Sequence, residues 1–388
     1  MFFSSRALLA SGLCSGLSFL AIAPACAFAD PPDDLMNRST LTGGWGGERQ
    51  KLADQGIKLT GDYNSETFSN LHGGIKHGTR YAQQVRIGAQ LDLSKLLDTP
   101  DAGLVQITLN DRRGHSASED LVGNRLPVQE NYGGKYTRLS EFSYQRTLFS
   151  PALTTKLGFL AMGNDFGGMP LLTSFVNAGF CAHPLTMSNG SGWSNYPTPH
   201  WGAELHYTVS PSLTLQTAVF QVNPAYNSRS SEAFTMTTRG TTGAIMPLEA
   251  IYTHKAWLDG QYKVGWYYDT SNTTKIGSTE KANNRTGAYV LLDQAIWRDE
   301  QDPESILRAF GQAATSNTAT SPMHRWYSVG LVKQKPFANR PYDSIAFGYG
   351  RAVFNSRSRD VQEAAASTPE QANMIANLDS GEQLLELN

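Results

Sequence analysis

Catalytic chemistry needs acids, bases, nucleophiles or metal ligands at fixed spacings, and this chain does not gather them. His183, His200, His206 and His254 are scattered, with no H-E-x-x-H frame and no close pair at i, i+4, so spacing supplies no zinc site. Ser191 sits in Asn189-Gly190-Ser191-Gly192, outside a G-x-S-x-G elbow. There is no P-loop and no dinucleotide fingerprint, and no carboxylate pair stands out from the many Asp and Glu. What does recur is polarity at every second position. Gln84, Arg86, Gly88, Gln90 and Asp92 alternate with Val85, Ile87, Ala89, Leu91 and Leu93. Gln106, Thr108, Asn110 and Arg112 alternate with Val105, Ile107 and Leu109. Glu204, Glu249 and Lys263 share the polar parity of their own runs; Glu141, between Leu139 and Ser143, has a less clean parity. Such rows make hydrogen bonds along a wall. They do not assemble a reaction centre.

A period of two belongs to strands. The stretch Leu41–Gly74 starts the pattern. Trp45–Gln55 reads as a short amphipathic helix with Glu48 in its first turn and Gly56 at its stop, and Ile57, Leu59 and Gly61 then alternate with Lys58, Thr60 and Asp62. Further alternating runs are expected at 81–93, 103–114, 136–146, 154–161, 201–209, 213–222, 248–257, 261–269, 286–297, 305–313, 325–333 and 343–354. That makes roughly thirteen strands, with another starting at Gln383. Asn355–Leu378 looks like a loop carrying a helix. Short turns such as Ser210-Pro211-Ser212 and Leu258-Asp259-Gly260 alternate with long polar segments such as Asn164–His200, Asn223–Met246 and Ser271–Arg285.

The N-terminus gives an address. Arg6, the apolar run Ala7–Ala23 and the small-x-small site Ala27-Phe28-Ala29 read as a signal peptide over 1–29. Cys26 raises a lipoprotein alternative, but Ala23-Pro24-Ala25 lacks the aliphatic residue of a lipobox. After Ala29 no stretch approaches the ~20 apolar residues of a membrane helix. The exported chain is then either soluble or a membrane-spanning barrel, the other fold that satisfies every backbone group in lipid. Gly 36, Tyr 16, Phe 17 and Trp 7 with 17% charged residues lean toward a wall with one wet and one oily face. Long loops at one end and short turns at the other are the barrel's asymmetry, and Tyr262, Trp266, Tyr267, Tyr268, Trp297, Trp326 and Tyr327 would suit its interfacial girdles. The net charge of -2 argues against a nucleic-acid partner. Cys14 and Cys26 leave with the signal, so Cys181 has no intramolecular partner.

Several motifs taken together resemble the carbohydrate-selective porins of the OprB type. They are Gly44-Trp45-Gly46-Gly47-Glu48-Arg49, Leu52-Ala53-Asp54-Gln55-Gly56-Ile57, Asn70–Gly74, Arg86–Leu93, Asp165-Phe166, Phe180-Cys181, Tyr196-Pro197, Trp201-Gly202 and Arg340–Ala346. The resemblance runs from Leu41 to Asn388. It implies an all-β fold: a transmembrane antiparallel barrel of about sixteen strands with a short N-terminal periplasmic helix. It implies a signal peptide over 1–29, an N-terminal segment over 30–56 and a barrel over 57–388. Against that pattern the last two or three strands are missing and the chain looks C-terminally incomplete.

The implied function is passive diffusion of carbohydrates, monosaccharides such as glucose, across the outer membrane. No enzyme activity, cofactor or metal is expected. The partners are the solute, outer-membrane lipid and the barrel-assembly machinery, with a homotrimer left open. A channel of this kind needs polar groups that replace the solute's water at a narrow point. Arg86, Gln90 and Arg112 are the expected constriction residues, facing a carboxylate such as Glu66 or Glu141 across the lumen. The alternative is a charge ladder that never meets solute. Asn164–His200 is expected to fold inward with Trp193, Tyr196 and Trp201 near the path, or else to be a mobile external loop. The helix sits in the periplasmic mouth or serves as a structural plug. The rival readings are a channel for other small solutes, such as organic acids, and a soluble secreted glycan-binding β-protein.

Overall fold

The structure is a computed structural model that describes residues 40–388 except 134, 150–151, 182, 228–233, 367 and 370–379. The expected signal peptide, 1–29, lies outside the described residues.

The glycines around Trp45 set the entry. Gly46 and Gly47 take φ of 64° and 89°, in the left-handed region, and separate a short 3-10 turn, Trp45–Gly47, from α1 (Glu48–Asp54). Gly56, at φ 94°, stops the helix as its position demands. A Cβ there would sit 2.8 Å from the Asp92 carbonyl oxygen, so the chain turns tightly against its neighbour. α1 buries none of its residues. Lys95 from α2 (Leu93–Leu96) donates to the Ala53 carbonyl at 3.1 Å. The helix therefore leans on the rim and does not plug the interior.

From Ile57 onward the period of two becomes strands. They are β1 (Ile57–Asn70), β2 (Gly78–Asp92), β3 (Leu104–Gly114), β4 (Tyr136–Leu148), β5 (Leu153–Leu160), β6 (His200–Ser210), β7 (Leu213–Val222), β8 (Gly243–His254) and β9 (Gly260–Asp269). β10 (Thr273–Thr274) and β11 (Lys281–Ala282) form a separate small hairpin. β12 (Arg285–Arg298), β13 (Ile306–Ser316), β14 (Met323–Gln334), β15 (Ser344–Phe354) and β16 (Gly381–Leu387) follow. Fourteen of these make one sheet in which each strand pairs antiparallel with the next. β1 and β16 are its end members and do not pair with each other among the described residues. Fourteen strands match the alternating runs of the sequence and the expected count of two or three fewer than about sixteen. α5 (Ser356–Ala364), capped by the Asn355 side chain, is the helix expected between the last two strands.

The connections fall into two sets. Those joining β2–β3, β4–β5, β6–β7, β8–β9, β12–β13 and β14–β15 lie at the end near α1; those joining β1–β2, β3–β4, β5–β6, β7–β8, β9–β12, β13–β14 and β15–β16 lie at the other, and the longest connections are in this second set. The faces are inverted relative to a soluble sandwich. Ile87 is 62% exposed and Val264 58% on the outer face, whereas Glu204 and Glu249 are buried on the inner one. An apolar outside and a polar inside suit lipid around a lumen, and the reading as a soluble secreted protein falls on this point. Trp266, Trp297 and Tyr327 are exposed on the outer face, as girdle residues should be. Tyr267 and Trp326 are fully buried and are interior packing residues instead, because their neighbours in sequence take the outward positions.

Glycine on the inner face makes room for these rings. A Cβ on Gly265 would stand 2.0 Å from Tyr289 Cζ. Gly265→Val overpacks this site at a cost of about 1–3 kcal/mol. The expected result is a smaller fraction of the fast-migrating folded band on an unboiled gel. Val264→Ile, on the outer face of the same strand, should leave that fraction unchanged.

Candidate functional site

The segment 161–199 folds inward and fills much of the interior. Met162, Phe166, Met187 and Trp193 pack with Leu160, Phe220, Tyr267, Tyr289 and Trp326 from the wall. Leu171, Leu172, Phe175 and Phe180 pack with Phe310 and Ala346. Phe166 and Phe180 are fully buried, each stabilising the arrangement by roughly 1.5–3 kcal/mol.

A buried loop must still satisfy its backbone. Carboxylates on the wall do this. Gly167 N–H donates to Glu249 Oε2 at 2.9 Å, and Gly192 N–H donates to Asp269 Oδ2 at 2.6 Å. Val176 and Asn177 N–H donate to the two oxygens of Glu386 at 2.8 and 3.2 Å. Lys263 Nζ donates to the Gly168 carbonyl at 2.8 Å. A second inward segment, 115–135, uses the same device. Asn131 N–H donates to Glu66 Oε2 at 3.0 Å, and Arg125 and Leu126 N–H donate to Glu382 at 2.8 and 3.0 Å. It thereby touches both end strands of the sheet. The two segments meet where Ala178 N–H donates to the Pro127 carbonyl at 2.9 Å.

A polar cluster forms where the tip of 161–199 reaches β2 and β3. The Arg86 and Arg112 guanidiniums lie 5.8 and 5.6 Å from the Tyr196 ring centre. Asn110 Nδ2 donates to the Tyr196 hydroxyl at 2.5 Å. Arg86 Nε donates to Asp62 Oδ2 at 2.6 Å, and the two side chains are 46% and 40% exposed on the inner face. Arg112 is buried and donates to Gln84 Oε1 at 2.8 Å and to the Glu130 carbonyl at 3.3 Å. Burial holds the Glu130 carboxyl above the usual carboxylate range, against the pull of Arg112. Burial also raises the Tyr196 hydroxyl, against both arginines, and pushes the Cys181 thiol well up. At the α1 end of the lumen a cavity of about 410 Å³ lies under Pro170–Ser174. It is lined by Thr253, Gln261, Asp293, Arg308 and Gln334.

The sequence candidates divide accordingly. Arg86, Arg112 and Tyr196 come together. Gln90 faces inward between Lys58 and Gln106, further toward the α1 end. Glu66 and Glu141 do not pair with the two arginines as expected. Glu66 holds the Asn131 backbone, and Glu141 pairs with Lys156 at 3.2 Å. Trp193 is 5% exposed between Tyr267 and Tyr289, with ring centres 5.7 and 5.9 Å away, so it packs the segment against the wall. Trp201 has the outward parity; it packs on Phe159 and donates to the Met236 carbonyl at 3.1 Å. Asp62 was missed, although the β1–β2 register that sets it opposite Arg86 follows from the alternation of both strands. Arg138 was hidden by a register shift at Thr108/Leu109, where Glu141 and then Leu139 oppose successive residues, so that Arg138 and Glu141 both face inward.

An inverted antiparallel sheet with short turns at one end, long connections at the other and a loop folded into a polar interior defines an outer-membrane β-barrel channel. Comparison with known proteins gives the family. The model of the carbohydrate-selective porin, OprB family, matches residues 76–388. Porin B of Pseudomonas aeruginosa is 30% identical over 344 residues, covering 82% of this chain and 75% of that protein. The high-pH structure of Pseudomonas putida OprB superposes with a TM-score of 0.80 at 28% identity, covering 89% of this chain and 88% of that one. The low-pH structure of the same protein gives 0.55 at 27% identity, covering 81% and 83%. The chain belongs to the carbohydrate-selective porin, OprB family. It is an outer-membrane porin for carbohydrates.

Packing of the inward segment has a pH signature. His183 is enclosed, and burial pushes its imidazole down to about 4 from 6.5. Between those values the unfolded chain binds more proton at this site than the folded one, so stability falls as pH drops through the window. Glu130, raised by burial, acts with the opposite sign, so the comparison is between proteins at each pH. His183→Gln should flatten the loss of denaturation midpoint between pH 6.5 and 4. Equal slopes in wild type and variant would refute it.

Proposed function

We propose that Arg86, Asp62, Asn110, Arg112 and Tyr196 form the constriction through which monosaccharides pass. The observation that carries this reading is the placement of Tyr196, on the inward segment, within cation–π range of two wall arginines. The Arg86–Asp62 pair is the exposed part of the cluster. It offers a donor and an acceptor side by side, which suits a hydroxyl that is both. Each such bond in contact with water contributes about 1 kcal/mol, weak enough for the solute to leave. Gln90 and the polar cavity under Pro170–Ser174 would continue the hydrogen-bonding surface toward the α1 end. Passage of this kind moves solute down its gradient and makes or breaks no covalent bond.

The selection is steric and polar. Arg112 is buried and tied to Gln84 and Glu130, so its part is to hold Tyr196 and the arginine pair in place. Arg86 is the guanidinium that meets solute. The same positive cluster would accept an organic anion, so the test includes one.

The experiment is liposome swelling with sugars of increasing size and one organic anion, paired with single-channel recording. Tyr196→Ala and Arg86→Ala should each raise open-channel conductance and weaken sugar block by about fivefold, one interaction of ~1 kcal/mol. Arg112→Ala should widen the channel by freeing the segment tip. Wild-type conductance and sugar block in all three would place the constriction elsewhere. An anion swelling rate above that of every sugar would favour the organic-acid reading.

A further inference from the structure

The inner wall at β5 and β6 carries a second cluster that the constriction does not use. Glu204 and His206 lie two apart on β6 and so share its inner face. Asp165 reaches them from the inward segment. One ligand atom from each of the three lies within 4.8 Å of the others. His206 Nε2 is 3.1 Å from Glu204 Oε2. Glu204 is 1% exposed, and its Oε1 has no hydrogen-bond partner. A buried carboxylate oxygen without a donor is costly unless a cation meets it.

The charges around it do not balance. Lys156 stands opposite Glu204 in the β5–β6 register. Its ammonium is 2.8 Å from Asp165 Oδ2 and 3.2 Å from Glu141 Oε1. Lys156 thus pairs with two of the three carboxylates and leaves Glu204 to His206, so the acids outnumber the fixed cations at this point of the wall. Lys156 Nζ donates to Asp165 Oδ2.

We propose that Asp165, Glu204 and His206 bind a divalent first-row transition ion of the Zn2+ class. One imidazole nitrogen with two carboxylate oxygens is a donor set that suits such ions. Asp165 and His206 keep 27% and 23% of their side-chain surface exposed, which gives the ion an entrance. Asp165 belongs to the inward segment and the other two ligands to the wall. The ion therefore clamps the segment at its start, beside the Glu249 contact to Gly167. Sequence spacing gave no zinc site because two ligands are i, i+2 on a strand and the third is brought by the fold.

The test uses the refolded, chelator-stripped full chain in detergent, with Zn2+ alone as the probe in calorimetry and Co2+ in visible absorption. The expected result is one Zn2+ per chain, with Co2+ bands that Zn2+ displaces. Glu204→Gln and His206→Ala should each weaken binding at least about tenfold. His72→Ala, in the exposed β1–β2 connection, should leave it unchanged. If a wall variant loses its heat-modifiable mobility, Asp165→Asn on the segment makes the same comparison. Absence of binding by folded wild type overturns the proposal; it would mean that a protonated His206 alone meets Glu204. Binding kept in Glu204→Gln and His206→Ala, or lost in His72→Ala, overturns it too, by assigning the ion to a surface histidine.

Discussion

The interior of this barrel depends on one constraint: a chain segment placed inside must find partners for its backbone N–H groups. Ordinary connections run over a surface, where water meets that demand. Here 161–199 is packed among Phe220, Phe310, Tyr289 and Trp326, so water cannot. The wall answers with carboxylates at Glu249, Asp269 and Glu386, and does the same for 115–135 with Glu66 and Glu382. Each N–H that meets such an oxygen escapes the cost of a buried donor left unmade, about 1–3 kcal/mol. Much of the polar inner face is therefore structural. A row of charged side chains on a strand does not by itself identify a solute path.

That use of the carboxylates sorts the inner surface by charge. Around β2 to β4 the arginines dominate: Arg86 is matched by Asp62, while Arg112 and Arg138 turn to neutral oxygens at Gln84, the Glu130 carbonyl and Thr198. Around β5 and β6 the balance reverses, with Glu141, Asp165 and Glu204 about Lys156. Near the α1 end Arg308 joins Asp293 at 2.6 Å and Asp259 at 2.9 Å. Opposed regions of this kind leave little net charge and many oriented dipoles. Such a surface can hydrogen-bond a neutral, hydroxyl-rich solute without trapping it.

The fold was legible because alternation is a strong signal when a sheet separates lipid from a packed interior. All fourteen strands were visible as runs, as were the stop at Gly56 and the helix after Asn355. Parity also placed Arg86, Arg112, Glu204, Glu249 and Lys263 on the inner face. It failed where one residue is inserted: the shift near Ser140 disguised Arg138 and Glu141. Parity separates the aromatics as well. Trp266 and Tyr327 point out while Tyr267 and Trp326, one position along, point in. Within the inward segment no period exists to read. Trp193 and Tyr196 are three residues apart, yet one is packed against Tyr267 and Tyr289 and the other meets two arginines. Their difference is set by contacts made after the segment has folded back.

A channel that selects by weak polar contacts needs those contacts held still, because a mobile donor would reorganise at each passage. Tyr196 is the test case, since it stands on a loop. Its position is fixed from both sides. Asn110 holds the hydroxyl, and Arg138 Nη1 donates to Thr198 Oγ1 at 2.6 Å just beyond it. Upstream, Gly192 is anchored on Asp269, and Trp193 is enclosed by two tyrosines. If Tyr196 lines the proposed constriction, the aromatic core of the segment and its carboxylate anchors bear on selectivity without touching solute. They turn a long connection into a fixed part of the wall, and the proposed constriction inherits its geometry from them.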